Sequence, residues 1–420
     1  MNLIQIVFFL FLVFQFGQTE RELRFVQVIH RHGDRTPLHR LTKEAVWKCQ
    51  AKIYYAPSQS GDNPRSLSRV YRKEYLGNRE YFYGNCGKGQ LTTIGSEQLR
   101  SVGELLRTKY VDQLQFLPDH FDKDLILIKS TDIDRTKQSV QSLMLGLYPL
   151  NQTANRNEIQ NIIDVCTSDP MSSFISTNWD RCPRLGQLYK EIFHSEKFEK
   201  HEKTIQSLID RVNSAFGVDN LMKKRLGQIS DTMWCRKMHN LSFPDGIDDQ
   251  TVDELREQML YEYSSFHGNQ SVYRLNAAHL VQKVVDNIQD FFEDKLDKKF
   301  IIYSGHDSSI APFMMSAHFW QKLKYPQYGS HVELETWVDG SEKYVKVLYN
   351  GEELLVDGCD DVYCDWETWQ IIATSNVPQN WEEECKVQNN QNHHNHQMSD
   401  RIQKSNFGEE FLLYLGNEFN

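Results

Sequence analysis

After Phe16 the chain has no apolar run long enough to cross a bilayer, which excludes a multi-span membrane protein. Glycine (22) and proline (11) are too scarce in 420 residues for a collagen-like or low-complexity chain. Excess positive charge is also missing. With 47 Lys+Arg against 57 Asp+Glu, the net charge of −10 disfavours a generally basic nucleic-acid binder. No two close CxxC-type pairs occur, so the usual cysteine zinc site has no ligands. The remainder is globular composition, 40% hydrophobic and 25% charged. At roughly 150 residues per domain the length suggests two to three domains.

The charge is unevenly spread. Between Leu38 and Leu91 ten Lys/Arg face four Asp/Glu, so this segment is +6 and the rest of the chain −16. The segment also carries Trp47, Tyr54, Tyr55, Tyr71, Tyr75, Tyr81, Phe82 and Tyr83. Positive charge steers anions and aromatic faces stack on sugars. The alternative is a solvated flap whose cations pair with the acidic remainder.

An apolar run from Ile6 to Phe16 has the length of a signal-peptide core, with Gly17 and Thr19 as small residues for cleavage. Residues 1–19 are therefore expected to be a signal peptide, although the usual preceding basic residue is lacking. Eight cysteines and three sequons, at Asn151, Asn240 and Asn269, agree with a secretory route and glycosylation. The destination is open: secreted, lysosomal or vacuolar, or Golgi lumen. No stable membrane span is expected in the mature chain.

Three short apolar runs read as buried strands, and each ends abruptly in a polar cluster. Leu23–His30 leads into Arg31-His32-Gly33-Asp34-Arg35-Thr36-Pro37, Asp124–Ser130 into Thr131-Asp132-Ile133-Asp134-Arg135-Thr136, and Lys299–Ser304 into Gly305-His306-Asp307-Ser308-Ser309. Helical periodicity covers Thr93–Gln113, Asp134–Tyr148, Glu199–Phe216, Thr251–Ser265 and Asn276–Glu293. Alternation of strands and helices predicts an α/β fold with a mostly parallel central sheet flanked by helices. In such sheets the ligand crevice lies beyond the carboxyl ends of the strands, which brings the three clusters to one edge. Residues 151–269 read as an inserted smaller helical domain, so 20–150 plus 270–385 would form one discontinuous catalytic domain. Val332–Trp337 and Tyr344–Asn350 read as a hairpin around Asp339-Gly340. Residues 386–420 read as a disordered Asn/Gln-rich tail, whose His393, His394 and His396 lack supporting partners and read as incidental rather than metal-binding.

The clusters have a common chemistry. Arg31 and Arg35 bracket His32, and an arginine fork matches phosphate bidentately without losing its charge. Gly33 removes a Cβ where substrate would approach. Arg135 falls in a first helical turn, where the helix N-terminus already favours an anion. His306 and Asp307 offer a phosphate donor and a proton donor. Read separately, each cluster also fits a structural ion pair or a core histidine.

In this order and context the three motifs resemble the histidine acid phosphatase family over about Leu23 to Cys385. The resemblance implies that His32 is the nucleophile forming a phosphohistidine. It also implies that Arg31, Arg35, Arg135 and a protonated His306 hold the phosphoryl oxygens, and that Asp307 protonates the leaving group. It implies a phosphomonoester substrate, acid-pH activity requiring protonated Asp307, and no metal or other cofactor. Cys182–Cys385 and Cys359–Cys364 match the family's usual bridges. The remaining Cys49, Cys86, Cys166 and Cys235 allow three connectivities, of which Cys49–Cys86 with Cys166–Cys235 is favoured. The long segment before Gly89-Gln90-Leu91-Thr92, with Cys235–Pro244 and Val347–Gly351, is most similar to the 2-phosphoxylose phosphatase branch. A phosphorylated glycan and an inositol phosphate are therefore alternative substrates, and a non-catalytic phospholigand-binding secreted protein is a remote one. His30 departs from the family's apolar or aromatic residue; it reads as a hydrogen-bonded core histidine or as a neighbour tuning His32. The oligomeric state is not legible.

Overall fold

The structure, a computed structural model, describes residues 21–39, 86–149, 163–169, 172–176, 179–217 and 226–387, with residue 41, residues 45–47 and three two-residue strands between 54 and 84. The leader, Asn151, the tail and most of the basic segment lie outside the described residues.

The central sheet contains β1 (Glu22–Arg31), β2 (Ile126–Ser130), β3 (Cys166–Thr167), β4 (Phe300–Gly305), β5 (His331–Asp339), β6 (Glu342–Tyr349), β7 (Glu352–Leu354) and β8 (Tyr363–Asp365). Their order is β7-β6-β5-β1-β4-β2-β3, with β8 pairing β6. The sheet has two halves. β1, β4, β2 and β3 run parallel, while β5 to β8 add an antiparallel flank that includes the hairpin at Asp339-Gly340.

Side-chain alternation divides the core between the two faces. Phe25, Ile29, Ile301 and Tyr303 face α8 (Gln270–Phe292), α9 (Asp307–Ser316) and α10 (Trp366–Thr374). Val26, Val28, Ile126, Ile128, Phe300 and Ile302 face α1 (Thr93–Arg107) and α2 (Asp134–Leu147). Helices cover both sides, so these parallel strands read as continuous apolar runs rather than half-polar ones.

Between β3 and α8 the described residues form α3 (Pro183–Phe193), α4 (Glu196–Thr204), α5 (Gln206–Phe216), α6 (Leu226–Met238) and α7 (Asp249–His267). The single helix expected over Glu199–Phe216 is two, separated at Ile205, whose backbone leaves the helical region. Leu208, Ile209, Val212, Ile229, Met233, Val252 and Leu255 give this layer its own apolar cluster.

Cys182–Cys385 and Cys359–Cys364 are disulfides. Cys86 is disulfide-bonded, and its expected partner Cys49 lies outside the described residues. The expected Cys166–Cys235 bridge does not form. Cys166 is exposed on the edge strand β3, in register with Lys129, whereas Cys235 is buried on α6 beside Trp47 and Cys86.

Candidate active site

Strand register assembles the three clusters. Arg31 stands opposite Gly305, and Ser304 stands between His30 and Ser130. The His32 amide continues the ladder by donating to the Gly305 carbonyl at 2.9 Å, and the Thr131 amide donates to that of Ser304 at 3.2 Å. Two helix N-termini open onto this edge, with Arg135 in the first turn of α2 and Asp307 as the first residue of α9. The partial positive charge of both ends favours an anion.

The reason for Gly33 differs from the sequence expectation. A Cβ there would meet the Gly95 carbonyl oxygen at 2.2 Å, and one on Gly95 would meet that of Asp34 at 2.2 Å. The glycine lets the loop pack against the start of α1; the close approach is to the protein itself. The Gly33 amide donates to Ser139 Oγ at 3.1 Å.

His32 is buried, and its Nδ1–H donates to the Gly33 carbonyl at 2.8 Å, which leaves Nε2 with the lone pair. Burial, then the charges of Arg135 and Arg31, push its pKa well below 6.5. The imidazole is therefore neutral and chemically able to attack. The His306 ring lies 5.5 Å away edge-on, and that of Tyr328 5.7 Å away.

Arg31 pairs with Asp307 Oδ2 at 2.9 Å and donates to the Pro326 carbonyl at 2.6 Å. Its guanidinium lies over Tyr328 and Tyr325, at 4.2 and 5.1 Å from the ring centroids. Both terminal nitrogens of Arg35 are held by Asp231, at 3.1 and 3.0 Å. The Nε–H groups of Arg31 and Arg35 are buried with no acceptor among the described residues. Such orphaned, charge-bearing donors suit an oxyanion. Arg135 Nη2 lies 3.5 Å from His306 Nδ1, and His306 Nε2 lies 3.1 Å from Thr131 Oγ1.

Burial and the Arg135 charge also push His306 well below 6.5. Among these neighbours it is uncharged, in contrast to the protonated imidazole expected. Burial alone would raise the Asp307 carboxyl, but the charge of Arg31 overcomes it and holds the group well below the usual carboxylate range. Asp307 is thus ionised, accepting from Ser308 N at 2.8 Å and from Tyr325 Oη at 3.0 Å. His30 is a hydrogen-bonded core histidine: its Nδ1–H donates to the Arg31 carbonyl at 3.1 Å.

The structure brings all six sequence-predicted residues together and adds four more: Asp231, His239, Tyr325 and Tyr328. The first two belong to one helical face. Asp231, Cys235 and His239 are spaced by four residues along and just beyond α6, and each meets the loop after β1. Asp231 also accepts from Leu38 N at 3.1 Å, the Cys235 thiol donates to the Arg35 carbonyl at 3.5 Å, and His239 Nε2 lies 2.7 Å from Asp34 Oδ2. That i, i+4, i+8 polar spacing was the available sequence signal. Tyr325 and Tyr328 lie in a loop with no periodicity, and only the fold reveals them.

The model of the histidine phosphatase superfamily (branch 2) matches residues 22–350. Counting factor 60 of Dictyostelium discoideum is 31% identical, covering 86% of this chain and 88% of that protein. Prostatic acid phosphatase of Homo sapiens is 25% identical, covering 91% and 93%. Lysosomal acid phosphatase of Xenopus laevis is 24% identical, covering 87% and 79%. Among solved structures, the apo form of Hafnia alvei phytase has the same fold, with a TM-score of 0.58 at 14% identity, covering 89% of this chain and all of that one. Matched by the family model over residues 22–350 and by these phosphatases along most of its length, the protein belongs to branch 2 of the histidine phosphatase superfamily and is a phosphatase of the histidine acid phosphatase family.

Proposed function

We propose that the protein hydrolyses phosphomonoesters through a phosphohistidine at His32. The observation that carries this reading is a neutral, buried His32 beside buried Arg31 and Arg35, whose Nε–H groups have no acceptor among the described residues. The His32 Nε2 lone pair attacks phosphorus as the ester P–O bond breaks. Arg31, Arg35, Arg135 and His306 hold the equatorial oxygens, where charge accumulates. Asp307 gives its proton to the departing oxygen and then takes one from the water that cleaves the P–N bond.

Ionised Asp307 must first gain a proton. A phosphate dianion on Arg31 offsets the charge that depresses the Asp307 pKa, so substrate binding and protonation are coupled, and activity favours acidic pH. A secretory-pathway location, lysosomal or secreted, fits the leader and the sequons: Asn240 is exposed and Asn269 caps α8 through its side chain. A phosphorylated glycan, as in the 2-phosphoxylose phosphatase branch, or an inositol phosphate is the second reading. It is favoured by the +6 segment that leaves the site directly after Pro37.

The test is rapid quenching with a ³²P-labelled monoester. A base-stable, acid-labile label on His32, absent from His32→Ala, is expected. Normal turnover by His32→Ala, or loss of activity on chelation, would overturn the reading.

A further inference from the structure

The helical layer brings a fourth arginine to the rim of the site. Arg256 of α7 lies with its guanidinium over the Trp234 ring of α6 at 4.8 Å and over the Tyr325 ring at 4.6 Å. It is half-buried, and it has no carboxylate partner among the described residues. Its neighbours along the helix are engaged elsewhere: Asp253 pairs with Lys237, and Glu254 with Arg211.

The same Tyr325 ring carries Arg31 at 5.1 Å, so the two guanidiniums are at most about 10 Å apart, linked through one shared ring. Tyr325 Oη donates to Asp307 Oδ2 at 3.0 Å. If Asp307 serves the departing oxygen, Arg256 lies one ring beyond it. A guanidinium fixed between two rings has little rotamer freedom left to lose, and it keeps its planar N–H fork for a carboxylate or phosphate.

We infer that Arg256 forms a second anion subsite that selects phosphomonoesters whose leaving group carries another negative charge roughly one ring-width from the reacting phosphorus. This deepens the function proposed above and rests on it. Suitable substrates have the chemistry of a sugar or cyclitol bearing a second phosphate, or of an aromatic ester bearing a carboxylate. The +6 segment follows the first cluster directly in sequence, but the subsite is defined by Arg256, Trp234 and Tyr325 alone.

The test compares 4-carboxyphenyl phosphate with its neutral isostere 4-carbamoylphenyl phosphate, each with one reactive phosphate. In the full chain the ratio of their kcat/KM values is expected to favour the carboxylate by about fivefold at low salt and to fall with ionic strength. In Arg256→Gln the ratio falls to about one, and Arg256→Lys restores part of it. A ratio is used because Arg256 also braces Tyr325, so any loss through that contact affects both esters and cancels. An unchanged ratio in Arg256→Gln, with both values reduced equally, assigns Arg256 to bracing alone and overturns the subsite. If the wild-type chain cleaves neither ester, nor any simple monoester, it is the phosphatase reading that fails, and the subsite fails with it.

Discussion

Asp231 holds Arg35 by both terminal nitrogens, reaching from a helix of the α3–α7 layer to a loop of the central sheet. The residue expected to grip phosphate is thus already paired with a carboxylate, and an arriving anion shares it. Asp231→Asn leaves the buried Arg35 charge uncompensated. Since the Asp231 side chain is 22% exposed, the expected loss is about 2 kcal/mol rather than the larger cost of a fully buried pair. Inorganic phosphate supplies the missing negative charge, so it should raise the melting temperature of the variant by more than that of wild type. Equal phosphate-induced shifts by differential scanning fluorimetry would remove the competition argument.

Asp307→Asn separates proton donation from phosphate holding. Turnover of an alkyl phosphate is expected to fall by about 10²- to 10⁴-fold, and that of 4-nitrophenyl phosphate much less, because its leaving group needs no proton. The sign of the pH effect follows. The carboxyl acts only when protonated, so wild-type kcat on the alkyl ester falls as pH rises through the value Asp307 has with phosphate on Arg31. That limb should be missing from the Asn variant, and stopped-assay pH profiles of both enzymes measure it.

Stability should fall where activity is expected to rise. His30 and His267 are pushed to about 4, mainly by burial. As pH falls below 6.5 the unfolded chain takes up protons that the folded chain refuses. Their contribution is therefore fully present above about 6.5 and lost on the way down to about 4. For one such histidine the loss approaches on the order of 3 kcal/mol. His30→Phe should flatten the decline of melting temperature between pH 6.5 and 4; a decline as steep as wild type would assign it to other groups.

Gly33→Ala places a methyl group on the Gly95 carbonyl, with backbone on both sides and no side chain able to give way. A loss of at least about 3 kcal/mol, or of soluble protein altogether, is expected. Gly95→Ala should cost a similar amount, since its Cβ meets the Asp34 carbonyl. A near-native melting temperature for either would show that the loop and α1 can separate.

The six strand-end residues were legible because a strong β run followed by a polar cluster is a local pattern, and parallel register converts three such patterns into one site. The disulfides Cys182–Cys385 and Cys359–Cys364 were legible only through the family resemblance. What packing alone decides was not. Asp231 and His239 share a polar spacing along and just beyond α6, but their partners, like those of Arg256 on α7, lie far away in sequence. Tyr325 and Tyr328 come from an irregular loop. Cys166 and Cys235 could be paired by count, yet they lie on an edge strand and in a buried helix face. The charge state of His306 depends on desolvation and on Arg135, neither of which a motif encodes.

The bridge between Cys182 and Cys385, residues 203 apart in sequence, closes everything between them into a covalent ring. His32 and Arg135 lie upstream of that ring; Asp231, Arg256, His306 and Asp307 lie on it. β1 is inserted between β5 and β4, both ring-borne, so the strand that leads into His32 is held there without a covalent tie from this bridge. One proteolytic cut between residues 183 and 384 leaves the two pieces joined through the sulfurs, whereas a cut between Tyr148 and Cys182 separates the upstream piece from the ring unless non-covalent strand pairing retains it. The active site is the seam between an open chain and a closed one.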